Sequence, residues 1–297
     1  MKAGFVGVGT MGGPMAVNLA SSYEVVAHCW NESARNALQG SAVSLSESLQ
    51  VVGETDVIFL CLPDADIVEQ VLFGPGGLAE VLRPGVVVVD TSTIEYGATL
   101  SISEKLTALD VRFIDAPISG MRKRAEDGTL TMMCGGDPDL VEELKPLFST
   151  MASNVIYMGP VGSGQLTKLI NQLLFDINAA ALAEILPLSV KLGLDPAKVG
   201  DVVNTGTGRS YASEFFIPNA LKGEFEKGYP MQHAYKDLIS GSKISVQHQI
   251  PTPVLSAAMA TYQMALLAGH GAEDKGGMIR VFEDLLDVTF RSGNSQE

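Results

Sequence analysis

The chain has 297 residues, of which 46% are apolar and 18% charged, and a formal net charge of −14. That length exceeds one average domain and the composition supports a sizeable core, so two globular domains are expected and disorder is not. The acidic balance excludes the broad basic face that a phosphate backbone requires, which argues against nucleic acid as a partner.

In chain order, short apolar runs predict strands over 3–6, 24–30, 56–62, 86–89, 112–114, 130–134 and 155–158. Helical patterns over 11–21 and 67–73 separate the early runs. Such alternation predicts a doubly wound α/β domain, its parallel-rich sheet covered on both faces. Past Gly164 the strand signal stops, and helical periodicity runs through 165–192, 196–204, 234–249, 253–268 and 276–289. Gly159, Pro160, Gly162 and Gly164 punctuate the change, so the expected domains are 1–162 and an all-helical 163–297.

The span 169–190 is the most apolar, but Asn171, Asp176, Asn178 and Glu184 interrupt it. A helix buried in protein is therefore expected, not a membrane crossing. No basic and then apolar leader precedes the first strand, and Cys29, Cys61 and Cys134 lack CxxC spacing. A cytoplasmic protein with reduced thiols, away from membranes, follows as the expectation. The four histidines are scattered, so no metal is expected.

Gly7-Val8-Gly9-Thr10-Met11-Gly12 reads G-x-G-x-x-G between the first strand and the first helix, the context in which this triplet binds a dinucleotide. The helix N-terminus there offers unpaired N–H groups to a pyrophosphate. The ribose-reading position, about 20 residues past the last glycine, is Asn31, followed by Glu32 and Ser33. Glu32 suits a ribose hydroxyl and hence NAD; Asn31, Ser33 and Arg35 suit a 2′-phosphate and hence NADP. Either cofactor is allowed, with a lean to NAD. Leu62 and Pro63 end the third strand run, and Asp90 to Thr93 end the fourth, where ligands bind in open sheets. A helix N-cap accounts for residues 91–93 equally well.

An enzyme that moves a hydride from an alcohol to such a cofactor also needs a proton acceptor. Lys168 follows Gly162-x-Gly164 at the start of the long helix, with Asn171, Gln172 and Phe175 on the same face. That is the pattern of an amine and two amides lining a cleft. A surface lysine on an amphipathic helix is the competing reading. Loss of solvent disfavours the charged form of an amine, which suits acid–base work. Ser119 and Gly120 end the run that starts at Asp115. Their hydroxyl and N–H suit a carboxylate, or form a simple turn. The basic run Arg122, Lys123 and Arg124 is a solvated loop or a site for a second anionic group.

Taken together, these segments resemble the β-hydroxyacid dehydrogenase family, of the 3-hydroxyisobutyrate dehydrogenase type. The resemblance is carried by GFVGVGTMG at 4–12, MAVNL at 15–19, LP at 62–63 and DTST at 90–93. It continues through DAPISG at 115–120, GTL at 128–130, GSGQLTK at 162–168 and KDL at 236–238. It implies a Rossmann domain followed by an all-α domain like that of 6-phosphogluconate dehydrogenase. The implied activity is NAD(P)-dependent hydride transfer involving a small 3-hydroxy acid or semialdehyde. Lys168 is then catalytic, Ser119 and Gly120 hold the substrate carboxylate, and Thr93 and Lys236 contact the cofactor. A homodimer or homotetramer is also implied.

Two departures stand out. Gln172 takes the position where many members carry Asn, with Asn171 one residue earlier, so both amides are candidates for orienting substrate. Met121 stands where many members have a second glycine. Imine reductases and non-catalytic dinucleotide-binding relatives share the scaffold but generally lack the lysine, so Lys168 disfavours both alternatives.

Overall fold

The computed structural model describes residues 1–293 and divides into two compact units, Met1–Lys168 and Leu169 onward. The last residues of the expected second domain, 294–297, lie outside the described residues.

Among the described residues of the first unit, nine strands form one sheet. They are β1 (Lys2–Val6), β2 (Glu24–His28), β3 (Ser44–Ser46), β4 (Val57–Leu60), β5 (Val87–Asp90), β6 (Arg112–Asp115), β7 (Ile118–Ser119), β8 (Leu130–Gly135) and β9 (Ala152–Gly159). Their order is β3-β2-β1-β4-β5-β6-β8-β7, with β9 also paired to β8. The first six pair parallel; β8 runs antiparallel to β6 and β7, and β9 runs parallel to β8. The chain winds outward to β3, then crosses back to β4 on the other side of β1. That reversal opens a crevice at the carboxyl ends of β1 and β4, where this class of sheet binds its ligands.

Seven helices cover this sheet: α1 (Gly12–Ala20), α2 (Glu32–Ala37), α3 (Leu49–Gly53), α4 (Ala65–Phe73), α5 (Tyr96–Thr107), α6 (Met121–Glu126) and α7 (Pro138–Phe148). Alternation along the strands feeds two cores. Phe5, Phe59, Val89 and Ile114 pack with Met15, Leu19 and Phe148 on one face. Val6, Leu60, Val88 and Phe113 pack with Leu72 and Ile102 on the other. Burial on both faces is why β4 and β5 read as unbroken apolar runs.

A 29-residue helix, α8 (Ser163–Lys191), begins in the first unit and continues through the second. It is followed by α9 (Pro196–Thr205), α10 (Tyr211–Ala220), α11 (Met231–Gln247), α12 (Pro253–Leu267) and α13 (Ile279–Leu286). Phe216, Ile217, Met231, Leu238, Tyr262, Met278 and Phe290 form their common core. By length and composition α8 could cross a bilayer, yet Asp176 on it is fully buried and ion-paired with Lys275 inside the helical unit.

Several expectations change. By contacts the first unit runs on to Lys168. The segment 276–289 opens as a 3-10 turn, Lys275–Met278, and its α-helix ends at Leu286, where Asp287 turns left-handed. The basic run 122–124 is not a loop: it lies on α6, whose Ala125 is buried against the sheet. Arg122 is ion-paired with Glu126 at 2.7 Å.

Candidate active site

The glycine motif lies between β1 and α1. Gly7 has φ +93°, and a Cβ on Gly12 would sit 2.0 Å from the Gly7 carbonyl oxygen. The strand-to-helix turn is thus too tight for a side chain. Nothing lies within 4 Å of a Cβ built on Gly9, which with exposed Thr10 leaves the turn open on its outer side. Met11, the N-cap of α1, supplies no side-chain acceptor, so the first N–H groups of the helix suit an anion. Half-buried Met11 instead packs its side chain on the core. A dinucleotide pyrophosphate fits this cradle.

Past β2, Asn31 is the N-cap of α2, its Oδ1 accepting from the Ala34 N–H at 3.1 Å. Its carbonyl oxygen is therefore already engaged. Glu32 and Ser33 are exposed in the first turn of α2, and Arg35 approaches Glu47 at 3.7 Å. Trp30 is 58% exposed, edge-on to the His28 ring.

The loops after β4 and β5 are bonded together. Buried Leu62 donates its N–H to Ser92 Oγ at 2.9 Å, and Thr91 Oγ1 donates to the Leu60 carbonyl at 2.6 Å. Residues 91 and 92 thus tie strands together and do not cap a helix. Half-buried Thr93 and exposed Pro63 lie beside them.

Two buried aspartates, not singled out by the sequence, end β5 and β6 directly opposite each other. Asp90 Oδ1 accepts from the Ser92 N–H, while Oδ2 has no partner. Burial pushes its carboxyl up to about 7. Asp115 uses both oxygens, accepting from Gly162 N–H at 2.7 Å and Gln165 N–H at 2.9 Å. Burial raises it to about 6, opposed by those same backbone bonds. Asp115 therefore holds the first turn of α8. Gln165, also missed, is buried and bonded to the β5 loop. One signal could have found both: an Asp at a strand end and a Gln inside a glycine-punctuated helix start each need distant partners.

Lys168 follows one turn along α8 and is 8% exposed, which removes the reading of a surface lysine. Ser119 ends β7, paired with Thr131 of β8. Gly120 has φ +145°, and the Arg124 side chain packs over its Cα. In the helical unit, Gln172 is half-buried and its Nε2 lies 3.4 Å from Asp237 Oδ2. Asn171 and Lys236 are exposed. The first unit thus joins Leu62, the Thr93 loop and the turn before Lys168 through hydrogen bonds. The second joins Gln172 to the residue after Lys236.

A family model described as the NAD binding domain of 6-phosphogluconate dehydrogenase matches residues 2–159. A second, for the NAD-binding of NADP-dependent 3-hydroxyisobutyrate dehydrogenase, matches residues 162–282. The chain is 34% identical over 296 residues to a 2-(hydroxymethyl)glutarate dehydrogenase of Eubacterium barkeri, covering 99% of this chain and 98% of that one. A crystal structure of 3-hydroxyisobutyrate dehydrogenase from Salmonella typhimurium matches with TM-score 0.85 and 30% identity, over 95% of this chain and 100% of that one. An imine reductase from Myxococcus stipitatus, at 16% identity and TM-score 0.61 over 94% and 98% of the two chains, shares the fold alone. The chain belongs to the β-hydroxyacid dehydrogenase family of the 3-hydroxyisobutyrate dehydrogenase type, NAD(P)-dependent oxidoreductases that act on small hydroxy acids.

Proposed function

We propose that Lys168 is the base and acid of this reaction, which interconverts a small 3-hydroxy acid and its semialdehyde. The observation that carries the reading is a buried lysine one turn into a helix whose start is bonded to the Thr93 loop. Bound NAD(P) supplies the hydride acceptor at its nicotinamide ring. Lys168, uncharged, takes the hydroxyl proton as the carbonyl forms and returns it in the reverse direction. Ser119 Oγ and Gly120 N–H hold the carboxylate. Gln172, held by Asp237, orients the reacting oxygen, with Asn171 beside it. Gly7, Gly9, Thr10, Met11 and Gly12 hold the pyrophosphate, and Leu62, Pro63, Thr93 and Lys236 contact the rest of the cofactor.

The reading includes a preference for NAD. The Glu32 carboxylate accepts from a ribose hydroxyl and repels a 2′-phosphate, while Asn31 Oδ1 and Arg35 are engaged elsewhere. Acid substrates are supported by the names of the Eubacterium and Salmonella relatives. Self-association into a homodimer or homotetramer, through the exposed apolar face of α8, belongs to the same reading.

A panel of 3-hydroxy acids and semialdehydes assayed with NAD(H) and NADP(H) tests it. Lys168→Ala should lower kcat by about 10³-fold and leave dinucleotide affinity within about threefold. Undiminished turnover in that variant sinks the assignment.

A further inference from the structure

We infer that Gln165 is a positioning residue that keeps Lys168 in register with the Thr93 loop, an inference that rests on the reading of Lys168 given above. The Gln165 side chain is 2% exposed. Its Nε2 donates to the Ser92 carbonyl at 2.7 Å, and its Oε1 accepts from the Ile94 N–H at 3.2 Å. One amide thus grips the backbone on both sides of Thr93, as a neighbouring strand would. Its own backbone N–H goes to Asp115 Oδ2, and Ser92 Oγ accepts from Leu62 N–H. A continuous run of bonds therefore joins the loops after β4, β5 and β6 to the turn that precedes Lys168.

The approach is close. A Cβ on Gly164 would meet the Met133 carbonyl oxygen at 2.3 Å and Asp115 Oδ2 at 2.8 Å. Lys168 comes three residues after Gln165, roughly 4.5 Å further along the helix. A lysine stem has four rotatable carbons, so its amine is only as well placed as its Cα and its surroundings. Holding the first turn of α8 to the β5 loop fixes that Cα within the dinucleotide unit. Displacing a reacting group by about 1 Å costs on the order of 10²-fold in rate. The task requires a donor and an acceptor on one planar group, which Gln supplies at all pH values, Glu only when protonated, and Leu never.

The test uses the full chain as wild type, Gln165→Leu, Gln165→Glu, Lys168→Ala and the Gln165→Leu/Lys168→Ala double variant. Gln165→Leu should lower kcat by about 30- to 100-fold, with KM and dinucleotide affinity within about threefold. In the Lys168→Ala background the same change should lower the residual rate by less than about twofold, because Gln165 acts through the amine. Gln165→Glu should work best at acid pH and lose kcat as its carboxyl ionises, whatever the fate of the Leu variant on folding. A kcat for Gln165→Leu within twofold of wild type, equal losses in both backgrounds, or a Gln165→Glu profile parallel to wild type would each overturn the inference. Wild-type turnover in Lys168→Ala overturns the reading beneath it. Loss in Lys168→Ala beside full turnover in Gln165→Leu overturns this inference alone.

Discussion

Met121 adopts a φ of +60° immediately after Gly120 at +145°, so the chain leaves β7 through two consecutive positive-φ residues. Only the first is a glycine. A side chain in that region is strained by roughly 1 kcal/mol. Met121→Gly should therefore raise the unfolding free energy by about 0.5–1 kcal/mol, read from urea melts. A loss of stability would mean that contacts of the methionine outweigh its backbone strain. Asp90 offers a second test. Its carboxyl is raised to about 7 in the fold, so between pH 4 and 7 the folded state binds more protons than the unfolded one. Its contribution is present at acid pH and is lost as pH rises through about 7. Asp90→Asn, which keeps the acceptor for Ser92, should stabilise the protein by on the order of 1–3 kcal/mol near pH 8 and change little near pH 4. Equal effects at both pH values would contradict this. The tight turn at Gly7 and Gly12 was legible because turn geometry constrains it locally. Asp115 and Gln165 were not, since their partners lie up to 73 residues away in sequence.

Among the elements, buried strands announced themselves and marginal ones did not. β4 and β5 carry unbroken apolar runs, whereas β3 is three residues with no buried member and β7 is two residues long. Neither carries a pattern that periodicity can detect. α6 was masked by its basic run, since only Ala125 turns inward. In the helical unit, the contact between α8 and the 3-10 turn at Lys275–Met278 depends on charge. Lys275 is ion-paired with Asp176 and lies 4.3 Å from the centre of the Phe175 ring. Burial still raises the Asp176 carboxyl to about 6, against the pull of Lys275. Lys275→Met leaves that buried carboxylate without its cation and should cost about 3 kcal/mol near pH 8. The loss should shrink at lower pH, as the Asp176 carboxyl, raised further once the pull of Lys275 is gone, takes up a proton. Adding Asp176→Asn should recover most of it in thermal melts. Failure of the double variant to recover stability would assign the loss to packing instead.

For the molecule as a whole, the two-part organisation followed from where strand patterns end. Glycine punctuation marks 162/163, and hydrogen bonds at Asp115 and Gln165 bring the first turn of α8 into the sheet unit, whose contacts run on to Lys168. Beyond it, α8 leaves Ile170, Leu174, Ile185 and Leu188 exposed by 60, 58, 57 and 43%, and Leu192, just past its end, is exposed by 69%. Their spacing, each step within a fraction of a whole number of helical turns, puts them on one face as an apolar stripe, which a scatter of lone surface leucines would not form. Leu174→Asp with Ile185→Asp should shift the mass measured by light scattering to that of a single chain. An unchanged mass would contradict the proposed association through this stripe.

Because Asp115 and Gln165 stitch the opening turn of α8 to the sheet, that turn should exchange its amide hydrogens as slowly as the strands it is tied to.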